Sequence, residues 1–536
     1  MLFRDLRSNK KVLFRTLREW EWSVVSICAI AILTVFITGA PTGPHQAQAL
    51  TAPRSADFAF TPVPATEDVY CKDSDRGDIT NTGVTTIVDF DNRVSSRVDK
   101  CDADGQTVIE STCSANHSIT FKQKCAYGCT GGRCLKPEER NIVYVVVNID
   151  TENTSLGDQS YNPKISLQEY KPGGFVDQTM SEANRLGNVD SFGTPMKLTW
   201  YQLAYEMYCH SQPADCLLVH NQMEKFKEPM KRWDDGMAWH YHSAEWYSYY
   251  GPSVTEPSRQ STYWSQIFTF NGTQYMHGTD VGLAEKFLSM QVLEKSFYPA
   301  LVRFGWTWMN NDISKWLDGV IPYDYISIAP LSSPIRPQDP IANVYDWSRA
   351  PQGWTFYHPS TTDYQVAGDM KHYIFPCTSR SQIFLAFMNA QAGKPSLTCV
   401  YTHAHNDPTY TMNNLRLQPW QAAFPGTKFA YVNGLEGVKK IIGYQDDVAP
   451  TVTVQQPWAN FYTVLSNEPL FAAPYAAVQT TDGSYIRVHA ETDQATWTRD
   501  GLLSWSYDLT NIPYQKVKFG GTDIPGNAFV TAEYRP

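Results

Sequence analysis

Three places near the ends of candidate strands set two potentially reactive side chains one residue apart. They are Asp150 and Glu152 in NIDTEN, His240 and His242 in DDGMAWHYH, and His403 and His405 in YTHAHND. Along an extended strand, side chains alternate between faces, so each pair would present both members to one side. Two carboxylates plus two imidazoles suit a zinc-like ion that keeps one position open for water. A further histidine and a carboxylate could then act as acid and base. Each pair alone has a plainer reading: a His-x-His at a strand end is often structural, and an Asp there often caps a helix. The window from Asp234 to Trp246 could equally be a sugar-binding shelf or a piece of core that contains histidine.

The elements that would carry these pairs are legible around them. Ile142 to Ile149 is a nearly continuous Val-rich run, the pattern of a strand covered on both faces. Helical patterns follow in FVDQTMSEANRLG, TWYQLAYEMYCH and AEKFLSMQVLEKSFYPALVRFG, alternating with short apolar strands in CLLVHN, DYISIAP, HYIFPC and LTCVYTHAH. Strand and helix in alternation predict a parallel α/β sheet or barrel over about Asn141 to Asp447. In such domains, sites gather at the carboxyl ends of strands. The three pairs fall at such ends, as do Arg303 in ALVRFGW and Asp324 in IPYDYIS.

As an ordered set, these motifs resemble the polysaccharide deacetylase (NodB-type) family of carbohydrate esterases over about three hundred residues. The resemblance implies a distorted, often incomplete (β/α) barrel that removes acetyl groups from N- or O-acetylated sugars. NIDTEN matches the acidic motif and places Asp150 as the catalytic base; DDGMAWHYH matches the histidine motif. VRFGW brings Arg303 to steady the base, Tyr323-Asp324 matches the following strand, and YTHAH carries the general acid, His403 or His405. The spacing departs from the family in two places. Thr151 stands where a second acid normally follows the base, with Glu152 next, and Ala244 occupies the usual place of the second histidine. The expected metal ligands are therefore Glu152, His240 and His242, around a divalent ion, with zinc the expected one. Substrate contacts are expected from Asp324 and from aromatic walls at Trp306, Trp308, Trp354 and Tyr357, although such rings also fill cores.

The rest of the chain predicts where this domain is held. Residues 1–22 carry six basic residues from Arg4 to Arg18, and 23–40 form an uncharged apolar run just long enough to span a bilayer. This predicts a cytoplasmic N-terminus, a single membrane anchor and an extracellular body, or a secreted one if cleavage occurs near Ala49. A Pro-, Ala- and Thr-rich linker over 41–67 leads to a module at 68–137 with six cysteines and little apolar content. Three disulfides would there replace a hydrophobic core. The spacings in CAYGCTGGRC fit disulfides better than a zinc knuckle. Two sequence-local couples, Cys209 with Cys216 and Cys377 with Cys399, are expected within the α/β domain. Residues 448–536 show short strands and turns, predicting a small antiparallel sandwich, whose GTDIPGNAF resembles a turn of immunoglobulin-like and fibronectin-like modules. A net charge of −10 without a basic run argues against a nucleic-acid partner. Three functions remain open: a metal-dependent deacetylase of an acetylated glycan, an inactive glycan-binding scaffold on the same fold, and a metal-independent glycoside hydrolase using two carboxylates such as Asp150 and Asp312.

Overall fold

The Val-rich run forms the longest strand of a parallel sheet, and its alternating side chains supply both the inside and the outside of an α/β barrel. The computed structural model describes residues 70–151, 173–203, 227–228, 230–241, 267–270, 273–276, 281–304, 309, 311–326, 349–351, 356–377, 380–403 and 416–536.

The first part is a set of short antiparallel strands: β1 (Tyr70–Asp73), β2 (Val84–Val88), β3 (Val94–Val98), β4 (Lys100–Cys101), β5 (Thr107–Ser114), β6 (His117–Lys124), β7 (Cys129–Thr130) and β8 (Arg133–Cys134). Its own apolar cluster is small, built on Val108, Cys125 and Cys134. Disulfides take over that role, joining Cys71 to Cys113, Cys101 to Cys129 and Cys125 to Cys134.

The barrel strands are β9 (Ile142–Asp150), β10 (Thr199–Leu203), β11 (Gly236–Tyr241), β14 (Leu301–Phe304), β15 (Tyr323–Ile326), β16 (Tyr373–Pro376), β17 (Ser396–His403) and β18 (Lys428–Val432); a hairpin, β12 (Ile267–Phe270) with β13 (Thr273–Met276), stands apart. The order is β16-β15-β14-β11-β10-β9-β17, with β18 also on β9, and every pairing is parallel. The barrel is nearly closed. β9 meets β17 along one edge, while its other edge is shared by β18 (register from Ile142 to Val146) and β10 (Asn148 to Asp150). The two ends of the order, β16 and β17, are joined by the disulfide Cys377–Cys399.

Val143, Val145, Val147 and Ile149 point outward and are covered by the helices α1 (Phe175–Met180), α5 (Arg380–Gln391) and α6 (Gln418–Ala423); α2 (Glu182–Leu186) follows α1 directly. Trp239, Tyr241, Val302 and Phe304 are covered by α3 (Val281–Lys295) and α4 (Asn311–Asp318). Tyr144 and Val146 face inward with Tyr201, Ala238, Leu301, Tyr323, Tyr325 and Phe375. Helix α7 (Gly434–Ile442) packs on those inward residues. A Cβ at its Gly437 would lie 2.8 Å from Val146, so glycine allows the close approach there.

Two expectations are corrected. Thr199 to Leu203, expected to open a helix, is the strand β10. Its Trp200 and Tyr201 are buried on opposite faces between β9 and β11, and full burial erased the amphipathic pattern that distinguishes the two states. The helix expected through Gly305 stops at Lys295, and Leu301–Phe304 is a strand buried on both faces. No helix among the described residues is long and apolar enough to cross a membrane. The run at 23–40, the linker at 41–67 and the couple Cys209–Cys216 lie outside the described residues.

The last part is a sandwich of two antiparallel sheets around one core. One contains β19 (Val452–Trp458), β20 (Phe461–Ser466), β24 (Leu503–Asp508) and β23 (Thr496–Trp497), and the other β22 (Tyr485–Val488), β21 (Tyr475–Thr480), β25 (Tyr514–Thr522) and β26 (Ala528–Val530). It docks on the barrel through its GTDIPGN turn. Gly526 sits against Leu435 and Tyr323, Tyr323 donates to the Ile524 carbonyl, and Lys439 donates to Asn527. Thr61–Pro536 forms one compact unit.

Candidate active site

Period-two alternation makes four side chains the last inward-facing ones of their strands, a layer at the carboxyl end of the barrel. His403 and Asp150 are register partners on β17 and β9, and His240 and Arg303 on β11 and β14. Asp150, His240 and Arg303 are almost fully buried, and His403 partly so. Tyr201, the register partner of Asp150 on β10, also faces inward.

The interactions within the layer are specific. Arg303 Nε donates to Asp150 Oδ2 at 2.9 Å, and its Nη1 donates to the Tyr325 carbonyl at 3.2 Å. Its guanidinium lies 4.1 Å from the centre of the Tyr401 ring, a cation–π contact that supports a buried charge. Burial opposes that charge, yet Asp150 and the Tyr401 ring outweigh it and hold the Arg303 pKa above its ordinary value. His403 Nε2 lies 4.0 Å from Asp150 Oδ2, beyond a hydrogen bond but within ion-pair range. Asp150 Oδ1 is buried without a hydrogen-bond partner among the described residues.

His240 Nδ1 lies 2.9 Å from the Arg303 carbonyl oxygen. A carbonyl only accepts, so Nδ1 carries the proton, and Nε2 is the nitrogen that can serve as a ligand. Metal-binding histidines are commonly oriented in this way. The orphaned Oδ1 of Asp150 and the Nε2 of His240 are donors of the kind a divalent ion takes. Glu152 and His242, the other expected ligands, lie outside the described residues, as do His405, Trp306, Trp308 and Trp354.

Thr151, at the position of the family's second acid, is turned to a different task. Its N–H and its hydroxyl both donate to the Tyr201 carbonyl, at 3.0 and 2.9 Å, tying the end of β9 to β10.

Two expected substrate contacts are not brought to this layer. Asp324 pairs in register with Val302 and Ile374, both members of the outer core, while its neighbours Tyr323 and Tyr325 face inward. Both Asp324 oxygens are buried without partners, and burial drives its pKa well above the ordinary range. Tyr357 is likewise in the outer core, its hydroxyl donating to the Tyr364 carbonyl. Asp312, the second carboxylate of the hydrolase alternative, is exposed in the first turn of α4 outside the barrel.

The sequence reading missed Tyr401 and Asn148. Both were accessible to the same period-two rule, each lying two residues before a named site residue. Asn148 donates to Cys399 Sγ at 3.0 Å, linking the site strand to the disulfide below it.

No family model matches the chain, and no curated protein matches it. Among solved structures, an engineered protein aligns over 75% of this chain and 94% of its own, at 9% identity and a TM-score of 0.22. At that similarity it carries no argument.

Proposed function

We propose that the protein is a metal-dependent hydrolase that removes acetyl groups from a polysaccharide, built on a barrel of the polysaccharide deacetylase type. One observation carries the reading: Asp150, Arg303, His240 and His403 are the last inward-facing residues of four strands at the carboxyl end of the barrel, with Arg303 paired to Asp150 and His403 4.0 Å from it. Structural economy does not favour that layer, because a buried ion pair contributes little net stability compared with apolar packing.

In this reading Asp150 takes the proton of an attacking water through Oδ1, the oxygen that Arg303 leaves open. Arg303 holds the carboxylate in place through the other oxygen. His403, or His405 beyond it, protonates the leaving amine or alkoxide. A divalent ion held by Glu152, His240 and His242 would supply Lewis-acid polarisation of the acetyl carbonyl. The extracellular placement proposed from the N-terminal run has the support of the four disulfides, which belong to oxidising compartments.

The test combines acetate release from a panel of acetylated glycans with the metal content of the purified protein. Asp150→Asn should lower turnover by about 100-fold or more and keep most of the metal, as expected for loss of a base. Glu152→Ala should lose both. If Asp150→Asn strips the metal and Glu152→Ala keeps it, the two roles are exchanged. If neither variant changes metal content or acetate release, the deacetylase reading fails.

A further inference from the structure

The geometry points to a calcium site in the disulfide-rich module, formed by Asp73, Asp75 and Glu110 and separate from the barrel. Asp73 closes β1 and Glu110 lies in the middle of β5, and the Cys71–Cys113 disulfide ties these strands together. The segment Asp73-Ser74-Asp75-Arg76-Gly77 turns back on itself through two left-handed residues, Arg76 at φ 64° and Gly77 at φ 75°. Gly77 N–H donates to Asp73 Oδ2 at 2.7 Å and to Asp75 Oδ1 at 3.1 Å, which fixes both carboxylates on one side of the turn. Thr112 adds a second donor to Asp73 Oδ2.

The remaining oxygens converge without partners. Asp73 Oδ1, Asp75 Oδ2 and both oxygens of Glu110 are buried and accept no hydrogen bond. One oxygen from each of the three carboxylates lies within 4.8 Å of the other two. That spacing suits oxygens around one ion at calcium distances, about 2.3–2.6 Å each. Glu110 is the decisive member. It has no solvent exposure, so water does not meet its carboxylate, and no protein donor does either.

The strongest electrostatic influences on Glu110 come from Asp99, Asp75, Asp73 and Asp78, every one acidic. Asp99 is already committed, accepting from Gly83 N–H and Ser111 N–H, and so braces the floor of the site. Four carboxylate oxygens crowded together and buried are costly to leave without a partner. A hard cation satisfies all four oxygens at once. The donor set is oxygen only, with no histidine or cysteine, which selects calcium over zinc or copper.

The experiment uses the full chain with its disulfides intact, stripped with a chelator and titrated calorimetrically with CaCl2 alone near pH 7.5, alongside thermal melts. The parent should bind calcium with a dissociation constant on the order of 10⁻⁵–10⁻³ M, the span from sensor sites to extracellular modules, and melt at higher temperature in calcium than in chelator. Glu110→Gln should lose one equivalent of calcium, or bind it at least about tenfold more weakly, and lose the melting shift. Asp75→Asn, at the partly exposed edge, is the second variant if Glu110→Gln does not fold. A parent that takes up no calcium overturns the proposal. So do variants that bind calcium as the parent does.

Discussion

Removing the Cys377–Cys399 bridge tests whether the barrel depends on its one covalent closure. Cys377 follows β16 and Cys399 lies in β17, the two ends of the sheet order, so the bridge spans the gap that backbone hydrogen bonds leave. The cross-link closes a loop of sequence separation 22. The chain-entropy relation for a loop of that length gives about 11 cal/mol/K, or about 3 kcal/mol at 25 °C. The native state adds a smaller contribution. Both sulfurs are buried, and Asn148 Nδ2 donates to them at 3.0 and 3.4 Å, so alanines would orphan that amide at a cost of about 1 kcal/mol. Cys377→Ala with Cys399→Ala should therefore lose about 4 kcal/mol, which for a domain of this size lowers Tm by about 10 °C. The assay is urea and thermal unfolding followed by tryptophan fluorescence. Alkylation of the parent without reduction should leave both cysteines unlabelled. A double variant whose stability falls by less than about 1 kcal/mol would refute the reasoning, since neither the loop entropy nor the orphaned amide would then be acting.

Two further outcomes follow from buried positions. Asp324 has its folded pKa raised, so its contribution to stability is full below the unfolded value, about pH 4, and is lost as pH rises through the folded value; Asp324→Asn, which cannot ionise, should flatten Tm against pH above about 4, and parallel profiles would count against this. Gly131 has φ 61° and touches the end of α7, where a Cβ would come within 2.4 Å of Ile442 Cα; Gly131→Ala should cost more than about 2 kcal/mol and expose the junction between the disulfide module and the barrel to protease, and an unchanged digestion pattern would contradict it.

The sequence revealed most where burial was one-sided or composition extreme. The Val-rich β9 was visible because a parallel strand covered on both faces is apolar throughout, and a periodicity rule carried from it to Asp150. The same rule collected His240 and His403 without any knowledge of pairing order, while Arg303 entered only from its place at the end of an expected element. It failed at β10, where Thr199 to Leu203 opens a segment whose apolar spacing also fits a helix. It also misplaced Asp324. The residue stands on a site strand, but one position out of phase, and a one-residue difference in phase moves a side chain from the inside of the barrel to the outside. The Cys377–Cys399 pairing was legible from sequence proximity alone, whereas six cysteines in the module allow fifteen connectivities, a choice that only the fold resolves. The Asp73, Asp75 and Glu110 cluster was hidden for the same reason: Glu110 joins the other two only once β5 is paired and bridged to β1.

The treatment of buried acids distinguishes the parts of this molecule. Asp324 has no donor among the described residues, and burial outweighs the Arg303 charge and drives it toward its neutral form. Asp150, an equally buried acid in the same sheet, faces a guanidinium that is itself clamped by a carbonyl and an aromatic ring. That clamp matters for chemistry. Arg303 engages Asp150 through Nε on Oδ2, while Oδ1 is buried without a hydrogen-bond partner among the described residues. A purely structural pair would gain more from a bidentate contact that satisfies both oxygens, as Arg185 makes with Asp235 elsewhere in this fold. The two arginine–aspartate pairs thus differ in saturation, and the unsaturated one is the pair to which the proposed mechanism assigns the base.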